Sequence, residues 1–155
     1  MTSSILYRML DVSNVAEVSM VAEIHENAPK YWTHNYSAEL QQIQQRIEQL
    51  KAMGSCIDRF FQIAEAHEEM IVGFHWLDIE KTNGDIFGHI KSLWVHKDYQ
   101  HKGIASTLKK NGERWAKNKG IKYLKTTVHA NNPRMIAFNL RFGYDQGFIE
   151  MMKQL

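Results

Sequence analysis

One cysteine, two prolines, no long apolar run and a net charge of only +2 are what this 155-residue sequence has least of, and each scarcity excludes something. Cys56 has no partner for an internal disulfide, and nothing beside it in sequence would activate the thiol. A reduced thiol in a cytoplasmic protein is the expectation. No apolar stretch approaches the ~20 residues that a spanning helix needs, and the N-terminus lacks a basic segment followed by an apolar one. Neither a membrane partner nor a signal peptide is expected. Lysine and arginine are nearly balanced by aspartate and glutamate, so nucleic acid is not an expected partner. No residue is assigned to a metal. The length suits one domain over residues 1–155, able to bury about 70% of its unfolded surface, and leaves a homodimer open.

What is present is a change of period along the chain. Ile5 to Met9 suits a first strand. Asp11 or Ser13 can cap a helix in which Val15, Val18, Ala22 and His25 recur at helical spacing, until Pro29 stops it. Lys30 to Tyr36 is an aromatic, polar connector. Ser37 then caps a second helix with Leu40, Ile43, Ile47 and Leu50 on one face, closed by Gly54. From Arg59 the pattern is β-rich: runs at 60–66, 71–79 and 86–95, divided by turns at 67–69 and 81–84, predict an antiparallel meander. Helix 104–119 follows, with Ile104, Leu108, Gly112 and Trp115 inward, then a strand at 123–128. Strand 86–95, that helix and 123–128 form a β-α-β unit, whose strands should be parallel. Asn132 caps a last helix with Pro133 at its first position. Tyr144 to Gln154 supplies a closing strand or strands.

The chain is organised around residues 93–111. Leu93-Trp94-Val95 ends a buried strand, and Gln100-His101-Lys102-Gly103-Ile104-Ala105 turns straight into a helix. The first amides of a helix have no internal partner and carry about +0.5 charge, so such a turn is a ready anion site. Gly103 lets a phosphate approach the main chain, and small Ala105 keeps the next amide open. Neither a Walker loop nor a dinucleotide fingerprint is present. A lone glycine before a helix has a steric explanation as well. The second motif tips the balance: Asn132-Pro133-Arg134-Met135, then Asn139-Leu140-Arg141-Phe142-Gly143-Tyr144, follows at a fitting distance.

Together these two stretches resemble the acyl-CoA signatures of GNAT-type N-acetyltransferases, over about residues 5 to 155. The resemblance implies an α/β (α+β) fold: a mixed, mostly antiparallel sheet of six or seven strands, about four helices and a splayed central parallel pair. It implies acetyl-CoA as cofactor, with the pyrophosphate on the amides of His101, Lys102, Gly103, Ile104 and Ala105, with Ser106 and Gln100 beside them. The pantetheine arm would pair with main-chain groups of Leu93, Trp94 and Val95, and Asn132 and Asn139 would face the cofactor. Lys109 and Lys110 fit either the 3′-phosphate or a solvated basic helix face.

Direct acetyl transfer to an amine needs a base, a donor to the thioester carbonyl and, optionally, an acid for the leaving thiolate. The Val95 amide is the candidate donor. Many relatives place a tyrosine acid where this chain has Asn139, so the acid role is unassigned. His89 matches a position used as base in arylalkylamine acetyltransferases, and imidazole titrates near neutrality. A satisfied strand histidine is the plain alternative, and His75, Glu65 or water are others. Strand alternation sets Lys91 on the face of His89. Tyr31, Trp32 and Tyr36, with His75, are candidates for the acceptor pocket; a small satellite core would use the same aromatics. The function implied is acetyl transfer to a primary amine of a small molecule or peptide. The alternative is a non-catalytic acyl-CoA-binding or regulatory domain, which the missing tyrosine favours.

Overall fold

The computed structural model describes residues 4–54 and 56–154. Its elements are β1 Leu6–Met9, α1 Val15–Glu26, α2 Leu40–Ala52, β2 Arg59–Glu65, β3 Ile71–Thr82, β4 Asp85–Val95, α3 Ile104–Asn118, β5 Leu124–Thr126 and α4 Pro133–Arg141. Short 3₁₀ turns lie at Ala28–Tyr31, His67–Glu69 and Lys97–Tyr99. The sheet runs in sequence order, β1 to β5, antiparallel except for the parallel pair β4 and β5.

The meander is tighter than the sequence suggests. Strands β3 and β4 extend to Thr82 and Asp85, leaving only Asn83 and Gly84 as the turn, both at positive φ (52° and 80°). Positive φ at both central residues is what a two-residue hairpin needs to match strand twist. Helix caps also differ by a residue or two. Asn14 caps α1, accepting from the Glu17 amide at 3.2 Å, and α2 starts after Glu39, whose amide donates to Gln42 Oε1 at 2.9 Å. Leu40, the first residue of α2, is solvent-exposed rather than inward and takes no part in the core that Ile47 and Leu50 join.

The sheet buries both faces. Val18, Val21 and Ala22 of α1 and Ile47 and Leu50 of α2 pack on Phe61, Ile63, Phe74 and Trp76. On the opposite face Ile104, Leu108 and Ala116 of α3 meet Ala64, Phe60 and Leu77. Each such large apolar side chain contributes about 1.5–3 kcal/mol by leaving water.

Among the described residues five strands stand where six or seven were expected. Residues 144–154 form no strand, and Phe148, Ile149, Met151 and Met152 are exposed. A closing strand would have to add to the free edge of β5, which is only three residues long and offers few ladder partners. Tyr144 is instead held back on the helices: its amide donates to Asn139 O at 3.1 Å and its hydroxyl to Glu113 at 3.3 Å.

Candidate active site

The parallel pair is joined only at Gly88–Ile90 and Leu124–Thr126. The next residue of β4, Lys91, has no partner on β3, because Trp76 faces Ser92 while Leu77 faces Ile90. This β-bulge sharpens the bend of β4 where β5 leaves it. The strands splay, and a cleft of about 840 Å³ opens between them. Its walls come from β4 residues 90–95, the segment 126–129 after β5, the start of α3 and the inner side of α4.

Along β4 the backbone faces alternate. His96 N donates to Val72 O at 2.8 Å, so Trp94 pairs toward β3 and the N–H and C=O groups of Leu93 and Val95 point to the cleft. Val95 O takes one hydrogen bond, from Gln100 Nε2 at 3.1 Å, which ties the loop to the strand end. At this end α3 begins. Gly103 occupies its N-cap position at φ +79° and supplies no side-chain cap, and the amides from His101 to Ser106 donate no hydrogen bond among the described residues. By contrast α1 and α4 have capped starts: Asn132 Oδ1 accepts from Met135 N at 3.2 Å. The open α3 terminus therefore keeps donors and partial positive charge for an anion. Arg134 adds a cation there, its Nη2 donating to His101 Nε2 at 3.2 Å.

Most sequence-derived candidates meet at the cleft. Leu93, Trp94, Val95, Gln100, His101, Ala105, Ser106, Asn132 and Asn139 line it. Lys102, Gly103 and Ile104 do not: Lys102 lies over the Tyr99 ring at 4.8 Å, and Ile104 is buried in the core with only its amide free. The aromatic connector supplies another wall of the cleft. Tyr31, Trp32 and Tyr36 line the cleft, Trp94 Nε1 donates to Tyr31 Oη at 3.2 Å, and Trp32 stacks on His129 at 5.9 Å.

Two histidines sit elsewhere. His75 lies outside the cleft, fully buried under α3, with Nδ1 donating to Ser92 O at 3.0 Å and burial driving its pKa down to about 4. It has no access to an acceptor. His89 lines a separate pocket of about 250 Å³ that shares Ile90, Lys91, Thr127 and His25 with the main cleft. Its Nδ1 is 3.0 Å from Glu80 Oε1 and from Lys91 Nζ, and Lys91 is hydrogen-bonded to the same carboxylate. Lys91 does share the face of His89, as strand alternation implies, but its ammonium is also bound to Glu80.

Sequence reasoning missed His25 as a site residue, and for Lys109 it offered a 3′-phosphate contact or a solvated helix face rather than a buried place in the cleft wall. His25 lines both pockets beside Trp76 at 5.1 Å, and burial and the Arg46 charge lower its pKa to about 4. Lys109 is not on a solvated face: it is 1% exposed, bonded to Asn139 Oδ1 at 2.9 Å, and lines the cleft. Only its place beside Leu108 at the edge of the apolar stripe hinted at this.

The comparisons agree on one family. The model of the acetyltransferase (GNAT) family matches residues 20–144. No curated protein matches the sequence. Among solved structures, a putative GNAT family acetyltransferase from Staphylococcus aureus is 26% identical, with 78% of this chain and 98% of that one covered at a TM-score of 0.68. Glucosamine-6-phosphate N-acetyltransferase from Arabidopsis thaliana is 18% identical, covering 97% and 98% at 0.66. The aminoglycoside N-acetyltransferase AAC(6')-Iy in complex with CoA is 14% identical, covering 100% and 97% at 0.71.

Proposed function

The chain belongs to the acetyltransferase (GNAT) family and is an acetyl-CoA-dependent acetyltransferase, and we propose that it transfers the acetyl group directly to a primary amine of a small molecule or peptide. One observation carries the reading. The uncapped start of α3 opens onto a cleft whose β4 wall, beyond the last β5 pairing, turns the main-chain groups of Leu93 and the N–H of Val95 toward it. Those features fit the cofactor's chemistry: donors for a diphosphate and a free strand edge for an amide-bearing arm.

The bound cofactor would supply an activated acetyl thioester. The amides of His101 to Ser106 would hold its pyrophosphate, and Leu93 and Val95 would orient its arm. The N–H of Val95 is assigned to the carbonyl oxygen, where charge develops during attack. The amine must arrive without its ammonium proton. His89 is assigned that proton, through water in the pocket it shares a wall with. Tyr31, Trp32 and Tyr36 would shelter the acceptor from bulk water and pack on its apolar part, or face its cation.

The experiment is a panel of primary amines assayed for CoA thiol release. Aminoglycosides and glucosamine-6-phosphate, acceptors named for two of the similar structures, belong in it beside amino acids and peptide N-termini. Amine-dependent release with an N-acetylated product supports the reading. Release independent of every amine would refute it.

A further inference from the structure

Lys109 is a charge in the wrong place for a structural residue. It is 1% exposed, and no carboxylate lies within ion-pair distance of it among the described residues. Its Nζ donates to Asn139 Oδ1 at 2.9 Å and lies 4.0 Å from the centroid of the Tyr144 ring, with Phe142 and Phe138 at 5.7 and 5.8 Å. A leucine there would fill the same space without the cost of desolvating an ammonium. The packing of α3 does not need the charge.

The pairing fixes Asn139. An ammonium has no acceptor, so the amide atom facing it must be the oxygen, and Nδ2 must point the other way. Nδ2 makes no hydrogen bond among the described residues, yet it is not a buried unpartnered atom, and both Lys109 and Asn139 line the cleft. Their depth is given by the helices. Ile104 opens α3, and Arg134 of α4 meets His101 at the same end. Lys109 and Asn139 each stand five residues further in, about 7.5 Å along their axes. An arm anchored at the α3 amides and running back along Val95 and Leu93 passes this pair.

We propose that Lys109 is a positioning residue for the departing sulfur, holding Asn139 so that its Nδ2–H faces the cleft and stabilises the thiolate of CoA. This rests on the acetyltransferase reading above. In the step concerned, the amine nitrogen bonds to the thioester carbon and the carbon–sulfur bond breaks, its electron pair leaving on sulfur. Nδ2–H donates a hydrogen bond to that anion and keeps its proton. The amine's proton goes to the base, and the released thiolate is protonated by water. The adjacent ammonium polarises the amide and makes it a stronger donor.

The charge must be present for this to work, and burial lowers the Lys109 pKa to about 8, partly offset by the Glu113 carboxylate. The other titratable groups beside it are Tyr144, whose phenol is pushed up by burial, and His75, neutral under α3. Neither changes charge between pH 7 and 9.

The test has two arms, one of which does not use turnover. CoA bound to the enzyme is titrated by the ultraviolet absorbance of its thiolate, in the parent and in Lys109→Met. The parent should shift the thiol–thiolate equilibrium toward thiolate by at least about tenfold relative to free CoA, and Lys109→Met should abolish most of that shift. In turnover, Lys109→Met should lower kcat at least about tenfold with KM for acetyl-CoA within about threefold, and remove the fall in kcat above pH 8. Asn139→Ala, which leaves the charge in place, should lose the thiolate shift equally and stands in if Lys109→Met does not fold. An unchanged thiol titration in either folded variant overturns the proposal, even if kcat drops. Because that titration needs no acceptor, its failure is separate from failure of the amine panel.

Discussion

A β-carbon added to Gly112 would stand 2.7 Å from Cδ2 and 2.8 Å from Nε2 of the His75 ring, so α3 lies on this histidine only because residue 112 has no side chain. Helix propensity alone favours alanine here by about 1 kcal/mol. The clash should outweigh it. Gly112→Ala is expected to lose about 1–3 kcal/mol in chemical unfolding, and to become neutral or stabilising in a His75→Ala background. A destabilisation that persists without the His75 ring would contradict this contact.

The same burial gives stability a defined pH dependence. His75 and His25 have pKa values near 4 in the fold, against about 6.5 when unfolded, so the unfolded chain binds more protons between these values. Their contribution is present above pH 6.5 and is lost as pH falls toward 4, by roughly 1–2 kcal/mol per histidine at pH 5. Lys109 acts at the other end. Its lowered pKa means that the unfolded chain holds more protons from pH 8 upward, so this residue's burden shrinks as pH rises toward 10.5. Lys109→Met should thus be more stable than the parent at pH 7, with the gap closing above pH 8. Urea unfolding across pH 5 to 10 measures both effects.

Trp94 and Tyr31 pin the aromatic connector to β4 by one hydrogen bond of 3.2 Å. Tyr31→Phe removes it while keeping the ring. KM for the acceptor should rise severalfold, as the loss of about 1 kcal/mol implies, with the Kd of CoA unchanged. A change in CoA affinity instead would move the connector from the acceptor end to the cofactor end.

His89→Gln should lower kcat/KM at least about tenfold and flatten its fall at acidic pH, since removing a positioned base typically costs 10²- to 10⁴-fold and water replaces part of it. Affinity for CoA should stay within about threefold, because His89 stands outside the main cleft. A pH–rate profile identical to the parent's would return His89 to a structural role beside Glu80 and Lys91.

Much of this molecule was legible in its sequence because local rules dominate there. Gly103, the strand ending Leu93-Trp94-Val95 and the cap at Asn132 are read from neighbours within four residues, and so is the β-α-β unit they frame. What was not legible depends on groups distant in sequence. Residues 144–154 have strand composition, but the three-residue β5 offers them little edge. His75 alternates correctly along β3, yet nothing local says that Gly112 will cover it. Lys109 reads as a surface cation until Asn139, Phe142 and Tyr144 close over it from thirty or more residues away. The bulge at Lys91 is visible only in the register with β3.

The measurement that bears most directly on the central claim is the calorimetric titration of CoA into the parent and into Gly103→Val. Gly103 holds a left-handed conformation with open space where a side chain would project, so valine strains the loop and crowds the phosphate without colliding with the core. The variant is expected to fold and to bind CoA at least about tenfold more weakly, a loss of about 1.4 kcal/mol. Equal affinity in a folded Gly103→Val would show that the phosphates do not rest on the start of α3.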